Sequence, residues 1–113
     1  MIHALKYVFP YLNAEVKRTI VVYESELIDE EAAKILNYIS YPFYAVGFPR
    51  NKLSHESLFY AIDKSSDLYN EILDFSFNEK IVSIGGSKIL NLLNNNPTLK
   101  KLYLKGCYIA EGQ

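Results

Sequence analysis

The feature that most constrains this chain is an apolar pattern that the sequence repeats. In Leu99–Ile109, leucine or isoleucine stands at positions 1, 4, 6 and 11 of the segment, and Cys107 stands at position 9. Phe43–Leu53 fits the same pattern, with aromatic and β-branched residues in place of some leucines and Asn51 at position 9. The pattern is typical of a unit that begins with a short strand and cannot bury its apolar side alone. The sequence therefore predicts stacked copies.

Two further segments keep part of the pattern. Residues 19–27 retain the apolar strand pair and the closing leucine, and residues 72–78 retain the pair and the asparagine. The spacing between equivalent strand residues is 26, 27 and 29, measured along Val22, Phe48, Phe75 and Leu104. A period of this size indicates one supersecondary unit per repeat.

Helical spacing of apolar residues follows each of the first three strand motifs, and Asp29 and Ser54 are predicted to cap the first two helices. Parallel strands joined by helices give the order β-α-β-α-β-α-β after an N-terminal helix. We therefore expect an α/β fold, a short solenoid with parallel strands in sequence order and the helices on one, convex face. A single domain, 1–113, is predicted, with a helical cap at 1–15 and repeats at 16–41, 42–67, 68–96 and 97–113.

The ninth position of the pattern lies where the chain turns away from the strand. A buried amide there can satisfy backbone groups that the bend leaves without partners. We expect Asn51 and Asn78 to have this structural role. Cys107 occupies the same position, and we expect a buried, unreactive thiol.

The segment 86–112 resembles the ribonuclease-inhibitor-like class of leucine-rich repeats, and residues 71–93 do so as well. The resemblance implies a non-catalytic scaffold that binds another protein through its concave strand face. Tyrosine with mixed charge at the outward strand positions suits such an interface. The predicted partner-binding residues are Tyr23, Asp74, Lys101, Tyr103 and Lys105.

The last strand motif is predicted to lie at an open edge of the sheet. The chain ends at Gln113, where the helix of the last unit is expected to begin. A strand at an uncovered sheet edge, with apolar side chains on one face, can pair with a strand of another chain. We expect a homodimer through this edge, another partner, or a continuation of the chain.

Composition narrows the function further. Twelve basic and thirteen acidic side chains leave a net charge of -1, so we expect no nucleic-acid partner. The single cysteine and the lack of a signal-peptide pattern indicate the cytoplasm. The sequence contains no apolar run long enough to span a membrane, so we expect no membrane partner. With two histidines and one thiol, we expect no enzymatic activity, no cofactor and no metal site. The carboxylates at 29–31 are expected at a helix start, where they complement the dipole.

A second hypothesis is a regulatory domain. Residues 71–76 followed by 84–90 resemble the strand, phosphoacceptor loop and helix of anti-sigma-factor antagonists. That resemblance implies a serine phosphoacceptor, Ser83 or Ser87. The same loop, 83–87, precedes a helix and could hold an anion, but ordinary turn geometry explains the same glycines and is the favoured interpretation.

Overall fold

The computed structural model describes residues 18–39 and 42–110, and of residues 82–86 and 109–110 only the backbone. The predicted N-terminal helical cap, 1–15, lies outside this part of the chain. None of the described helices is long and apolar enough to cross a membrane. The elements follow in the order β1 (Thr19–Val21), α1 (Asp29–Tyr38), β2 (Ala45–Gly47), α2 (His55–Leu68), β3 (Ile72–Asp74), β4 (Val82–Gly85), α3 (Gly86–Asn94), β5 (Lys101–Tyr103) and β6 (Tyr108–Ala110).

Strands β1, β2, β3 and β5 form one parallel sheet in sequence order. The predicted α/β fold with parallel strands in sequence order is confirmed. The first residues of the four strands lie side by side, in the register Thr19↔Ala45, Ala45↔Ile72 and Ile72↔Lys101. Neighbouring units are therefore stacked without a shift in register.

The backbone ladder continues beyond the strands into the turns that follow them. The N–H groups of Glu24, Arg50 and Phe77 donate to the next unit at 3.2, 2.9 and 2.7 Å. Each of these residues lies five positions after the first residue of its strand, and each has a left-handed φ, of 52°, 56° and 61°. Gly106, at the same position after β5, has φ 80°. One backbone turn thus recurs in all four units.

The helices pack on one side of this sheet. Val46 and Leu73 are buried in one cluster with residues of all three helices, including Leu36, Ile62 and Ile89. The next inward positions, Phe48 and Phe75, place their rings edge to face across neighbouring units, with centroids 5.7 Å apart. Residues of the opposite sheet face belong to a separate, smaller cluster. The main core therefore lies between the sheet and the helices.

A second, small sheet was not predicted. Strands β4 and β6 pair in parallel, with Val82 opposite Tyr108 and Gly85 opposite Ala110. Residues 83–87 were predicted to form a loop before a helix, but residues 82–85 form a strand and α3 begins directly after it, at Gly86. Strands of three or four residues carry too little alternation to be separated from a loop by pattern alone.

The first two helices, α1 and α2, begin with different caps. Ser54 caps α2 as predicted, since its hydroxyl accepts a hydrogen bond from the N–H of Glu56 at 3.2 Å. The predicted cap of α1 is wrong, because Ile28 is the N-cap and Asp29 is already helical. The Asp29 carboxylate instead accepts hydrogen bonds from the N–H and hydroxyl of Ser54, at 3.0 and 2.7 Å, and from the hydroxyl of Ser57. Asp29 therefore links two consecutive units.

This link makes the stability depend on pH. Burial works to raise the pKa of Asp29, but the hydrogen bonds from Ser57 and Ser54, and the charge of His55, outweigh it and lower the pKa below 3.8. The stabilisation is therefore complete above the unfolded pKa and is lost as pH falls through the folded pKa. We expect Asp29→Asn to lower the free energy of unfolding by about 1 kcal/mol at pH 7, because hydrogen bonds to a carboxylate are stronger than those to a neutral amide.

Urea unfolding of the wild type and of Asp29→Asn at a series of pH values tests this. The gap between the two proteins should be widest above pH 4 and should close at lower pH. Glu30→Gln, an exposed carboxylate on the same helical turn, is the matched control. A gap that stays constant from neutral to acid pH would contradict the role of the Asp29 carboxylate.

Candidate partner-binding face

The sheet face opposite the helices consists of three rows of four residues. Strand register aligns the first two rows, and the backbone bonds beyond the strands align the third. All five predicted partner-binding residues lie on this face. The rows are Thr19, Ala45, Ile72 and Lys101; Val21, Gly47, Asp74 and Tyr103; and Tyr23, Pro49, Ser76 and Lys105.

Exposure divides this face into a covered centre and an accessible margin. The β2 and β3 positions are buried, with Ala45 at 0% and Ile72 at 2% exposure. Lys101 and Lys105 on the β5 side are exposed, and Tyr103 is half-buried. Tyr23 on the β1 side is also half-buried. The accessible part of the face therefore lies mainly along β5.

Asp74 does not occupy the exposed position that the sequence pattern predicted for it. Its exposed fraction is 0%, and its carboxylate accepts a hydrogen bond from the N–H of Ser76 at 2.9 Å. The adjacent Ser76 hydroxyl is also buried, and the described residues offer it no hydrogen-bond partner. Asp74 therefore organises the centre of the face rather than presenting its charge at the surface.

Two tyrosines frame the centre of the face. Tyr44 and Tyr103 pack against the buried pair Ala45 and Ile72. The small side chain of Ala45 leaves room for the rings. Sequence alternation did not assign Tyr44 to this face, because it precedes the strand and lies next to Ala45 in the chain. Tyr44 nevertheless packs against the same buried pair as Tyr103 does.

Asn51 connects the first two units through its side chain. Its Oδ1 accepts hydrogen bonds from the N–H groups of Ser25 and Leu27, each at 2.9 Å. Its Nδ2 donates to the carbonyl oxygens of Val22 and Phe48, at 2.8 and 3.1 Å. One amide thus satisfies backbone groups on both sides of the boundary between the units.

Asn78 repeats this arrangement one unit later. Its Oδ1 accepts a hydrogen bond from the N–H of Leu53 at 3.0 Å, and its Nδ2 donates to the carbonyls of Phe48 and Phe75, at 2.9 and 3.0 Å. The side chain has no exposed surface. These amide groups are committed to the fold and do not face a ligand.

Cys107 takes the corresponding position in the fourth unit. Its thiol donates to the carbonyl of Phe75 at 3.3 Å. The side chain is half-buried rather than buried. Burial nevertheless raises the pKa of the thiol, which keeps it protonated at neutral pH. Its place in the turn network therefore resembles that of the two asparagines.

The remaining candidates do not converge on one site. Among residues 18–39 and 42–110, no group of three or more His, Cys, Asp or Glu side chains is placed to hold a metal ion. Glu31 accepts a hydrogen bond from the N–H of Ile28 at 3.1 Å, while Asp29 points to the serines of α2. His55 is exposed, and its ring lies 5.6 Å from that of Phe59. Ser87 is exposed on the first turn of α3.

An open groove of about 610 Å³ lies beside the repeated turns. Its charges are mixed, with Glu24, Glu26 and Glu79 facing Arg50, Lys52 and Lys80. The Arg50 guanidinium stacks over the ring of Phe77, 4.4 Å from the ring centroid. This stacking joins the left-handed turns of the second and third units. The groove therefore has no charge of one sign that would select a ligand.

Comparison of the chain with protein-family models, with curated proteins and with solved structures found no match in any of the three.

Proposed function

We propose that this protein is a non-catalytic module of the leucine-rich-repeat type, acting in the cytoplasm, that binds a protein partner through the sheet face opposite its helices. The observation that supports this most strongly is the repeated left-handed turn at Glu24, Arg50, Phe77 and Gly106. Each turn is followed by Ser25, Asn51, Asn78 or Cys107, and the last three bond back to the preceding unit. Stacked repeats of this kind commonly serve as extended binding surfaces.

The composition of the accessible margin supports a protein partner. Half-buried tyrosines with nearby lysines combine aromatic contact area with charged groups at the rim. Tyr103 is flanked on the same strand face by the exposed Lys101 and Lys105. Tyr23 provides an aromatic side chain on the β1 side. An adaptor and an inhibitor of an enzyme would both use such a face.

Partner capture with an alanine pair tests this proposal. The wild type is used as bait in an extract of its native cells, beside Tyr23→Ala/Tyr103→Ala. We expect the variant to capture at least about tenfold less of the partner than the wild type does, since tyrosines are enriched among the residues that carry most of the binding energy in protein interfaces. Quantitative mass spectrometry measures the loss.

Tyr38→Ala/Tyr69→Ala is the matched control, because these two tyrosines are 85% and 65% exposed and lie elsewhere, at the ends of α1 and α2. Thermal unfolding of both double variants shows whether the fold is retained. Equal capture by the folded Tyr23→Ala/Tyr103→Ala variant would contradict the assignment of the binding face.

The regulatory-domain hypothesis has less support. Strands that run in sequence order along one sheet argue against it, and β1, β2, β3 and β5 have that order, while β4 and β6 pair in a separate sheet. It also offers no reason for the recurring turn. Phosphorylation of Ser83 or Ser87 by a kinase of the same cells would be the observation in its favour.

A further inference from the structure

Strand β5 leaves one side of its backbone open. Lys101 donates its N–H to Glu71 at 3.0 Å, and the Tyr103 carbonyl accepts from Phe75 at 2.9 Å, so these two residues turn their backbone groups toward β3. Because backbone groups alternate along a parallel strand, the N–H groups of Leu102 and Leu104 point to the opposite side. Within the described residues no strand pairs with that side of β5.

The open edge has two chemically different surfaces. Lys101 and Lys105 lie on the outer surface, exposed and about 13 Å apart along an extended chain. Leu102 and Leu104 lie on the inner surface, where they are only partly buried against the core. A strand added here would place alternate side chains beside the lysines and the others beside the leucines.

Charge decides between the candidate occupants of this edge. In an antiparallel pair of two β5 strands, Lys101 of one copy would lie near Lys105 of the other, and opposed like charges are unfavourable. Pairing of β5 with β1 of another copy would bring Thr19 and Val21 beside the lysines, without a carboxylate in the strand. A segment with acidic residues at alternate positions complements both lysines.

We propose that the open edge of β5 binds an extended, acidic segment of the partner protein as an additional strand. The inference rests on the proposed function and names the chemistry of its partner. Backbone hydrogen bonds to Leu102 and Leu104 hold the segment, and its carboxylates pair with Lys101 and Lys105. Apolar residues at the alternate positions cover Leu102 and Leu104. Strand addition at an exposed edge combines affinity from the main chain with selection by side chains.

Titration with synthetic peptides tests the proposal directly. The probe is a labelled decapeptide of alternating glutamate and valine, followed by fluorescence anisotropy and by the backbone amide NMR signals of the protein. Two control peptides carry lysine in place of glutamate, or N-methyl groups on alternate residues of the acidic sequence. We expect saturable binding of the acidic peptide alone, with the largest shifts at the amides of Leu102 and Leu104.

Charge reversal supplies the matched protein variants. Lys101→Glu/Lys105→Glu should lower the affinity for the acidic peptide by at least about tenfold, since two attractive charge pairs become repulsive. Lys34→Glu/Lys52→Glu changes the net charge equally at exposed residues away from β5 and should bind as the wild type does. Raising the salt concentration should weaken binding to the wild type.

Four results would overturn the edge proposal. The first two are a lack of saturable binding of the acidic peptide and binding of the N-methylated peptide with the same affinity. The other two are unchanged NMR signals of the Leu102 and Leu104 amides at saturation, and self-association of the protein that blocks the edge. Partner capture from the native extract separates the two proposals. If Tyr23→Ala/Tyr103→Ala loses the partner and Lys101→Glu/Lys105→Glu retains it, the edge proposal is refuted and the proposed binding face is supported. Retention by both variants would refute the two proposals together.

Discussion

Replacing Asn78 by alanine is expected to lower the free energy of unfolding by about 4 kcal/mol. It leaves the buried N–H of Leu53 without this acceptor, at a cost of about 1–3 kcal/mol, and removes two further hydrogen bonds of about 1 kcal/mol each. The two further bonds go to the carbonyls of Phe48 and Phe75, which lie in different units and keep the Asn51 amide and the Cys107 thiol as donors. The truncated side chain also leaves a cavity, since Asn78 has no exposed surface. Urea denaturation at neutral pH measures the change.

Asn91→Ala is the control for this substitution. Asn91 is exposed on α3, and alanine is favourable at a helical position, so we expect a change within about 0.5 kcal/mol. A loss of less than about 1 kcal/mol in Asn78→Ala would show that the amide does not hold the units together.

Gly106→Ala is expected to lower the free energy of unfolding by about 2 kcal/mol, because the left-handed φ of 80° is unfavourable for a residue with a Cβ atom. The added Cβ would lie 2.5 Å from Cδ1 of Phe77 and 3.2 Å from its Cα. The ring can rotate to relieve the first contact, but the backbone atom cannot move independently of the third unit. The same denaturation measurement reports the loss.

Glu24→Ala is the matched control, since it places alanine at the same position of the turn in the first unit. Glu24 already has φ 52° with a Cβ atom present, and its side chain is exposed. We expect a change within about 0.5 kcal/mol. Equal losses in Glu24→Ala and Gly106→Ala would contradict the idea that the backbone geometry of the turn determines the cost.

Much of the main sheet could be predicted from the repeat. The apolar pairs that predict strands, such as Leu102 with Leu104, fall in or next to β1, β2, β3 and β5, and their order along the sheet follows the order in the chain. The pattern succeeds because each unit must bury the same strand positions against its helix. The α/β class and the parallel arrangement follow from that single requirement.

Long-range packing explains what could not be predicted. Alternation places Asp74 on the outer face, but exposure depends on the whole surroundings of that face, and Asp74 is buried there. Asn51 and Asn78 mark the turns, but the left-handed positions themselves are held by Arg50 and Phe77, residue types that do not indicate a positive φ. Likewise, Asp29 carries the usual signal of a helix cap, and only the position of the next helix directs its carboxylate to Ser54.

The functional proposal is based on the repeated strand and turn. It therefore depends on whether the turns of neighbouring units are joined in one hydrogen-bond network. A single unit of this size cannot bury its apolar side alone. Asn78 donates to the carbonyl of Phe48 in the second unit, and Asn51 donates to the same carbonyl and to that of Val22 in the first unit. The two side chains thus connect three consecutive units. Binding at β5 would use the end of the same stack.

Amide hydrogen exchange at Leu53 tests the central claim, that the units are coupled by buried turn amides, most directly. The N–H of Leu53 donates to the side chain of Asn78, whereas those of Ser25 and Leu27 donate to Asn51. The account predicts protection of Leu53 in the wild type and selective loss of that protection in Asn78→Ala, with Ser25 and Leu27 still protected. Exchange of Leu53 in the folded wild type as fast as in the unfolded chain would contradict it.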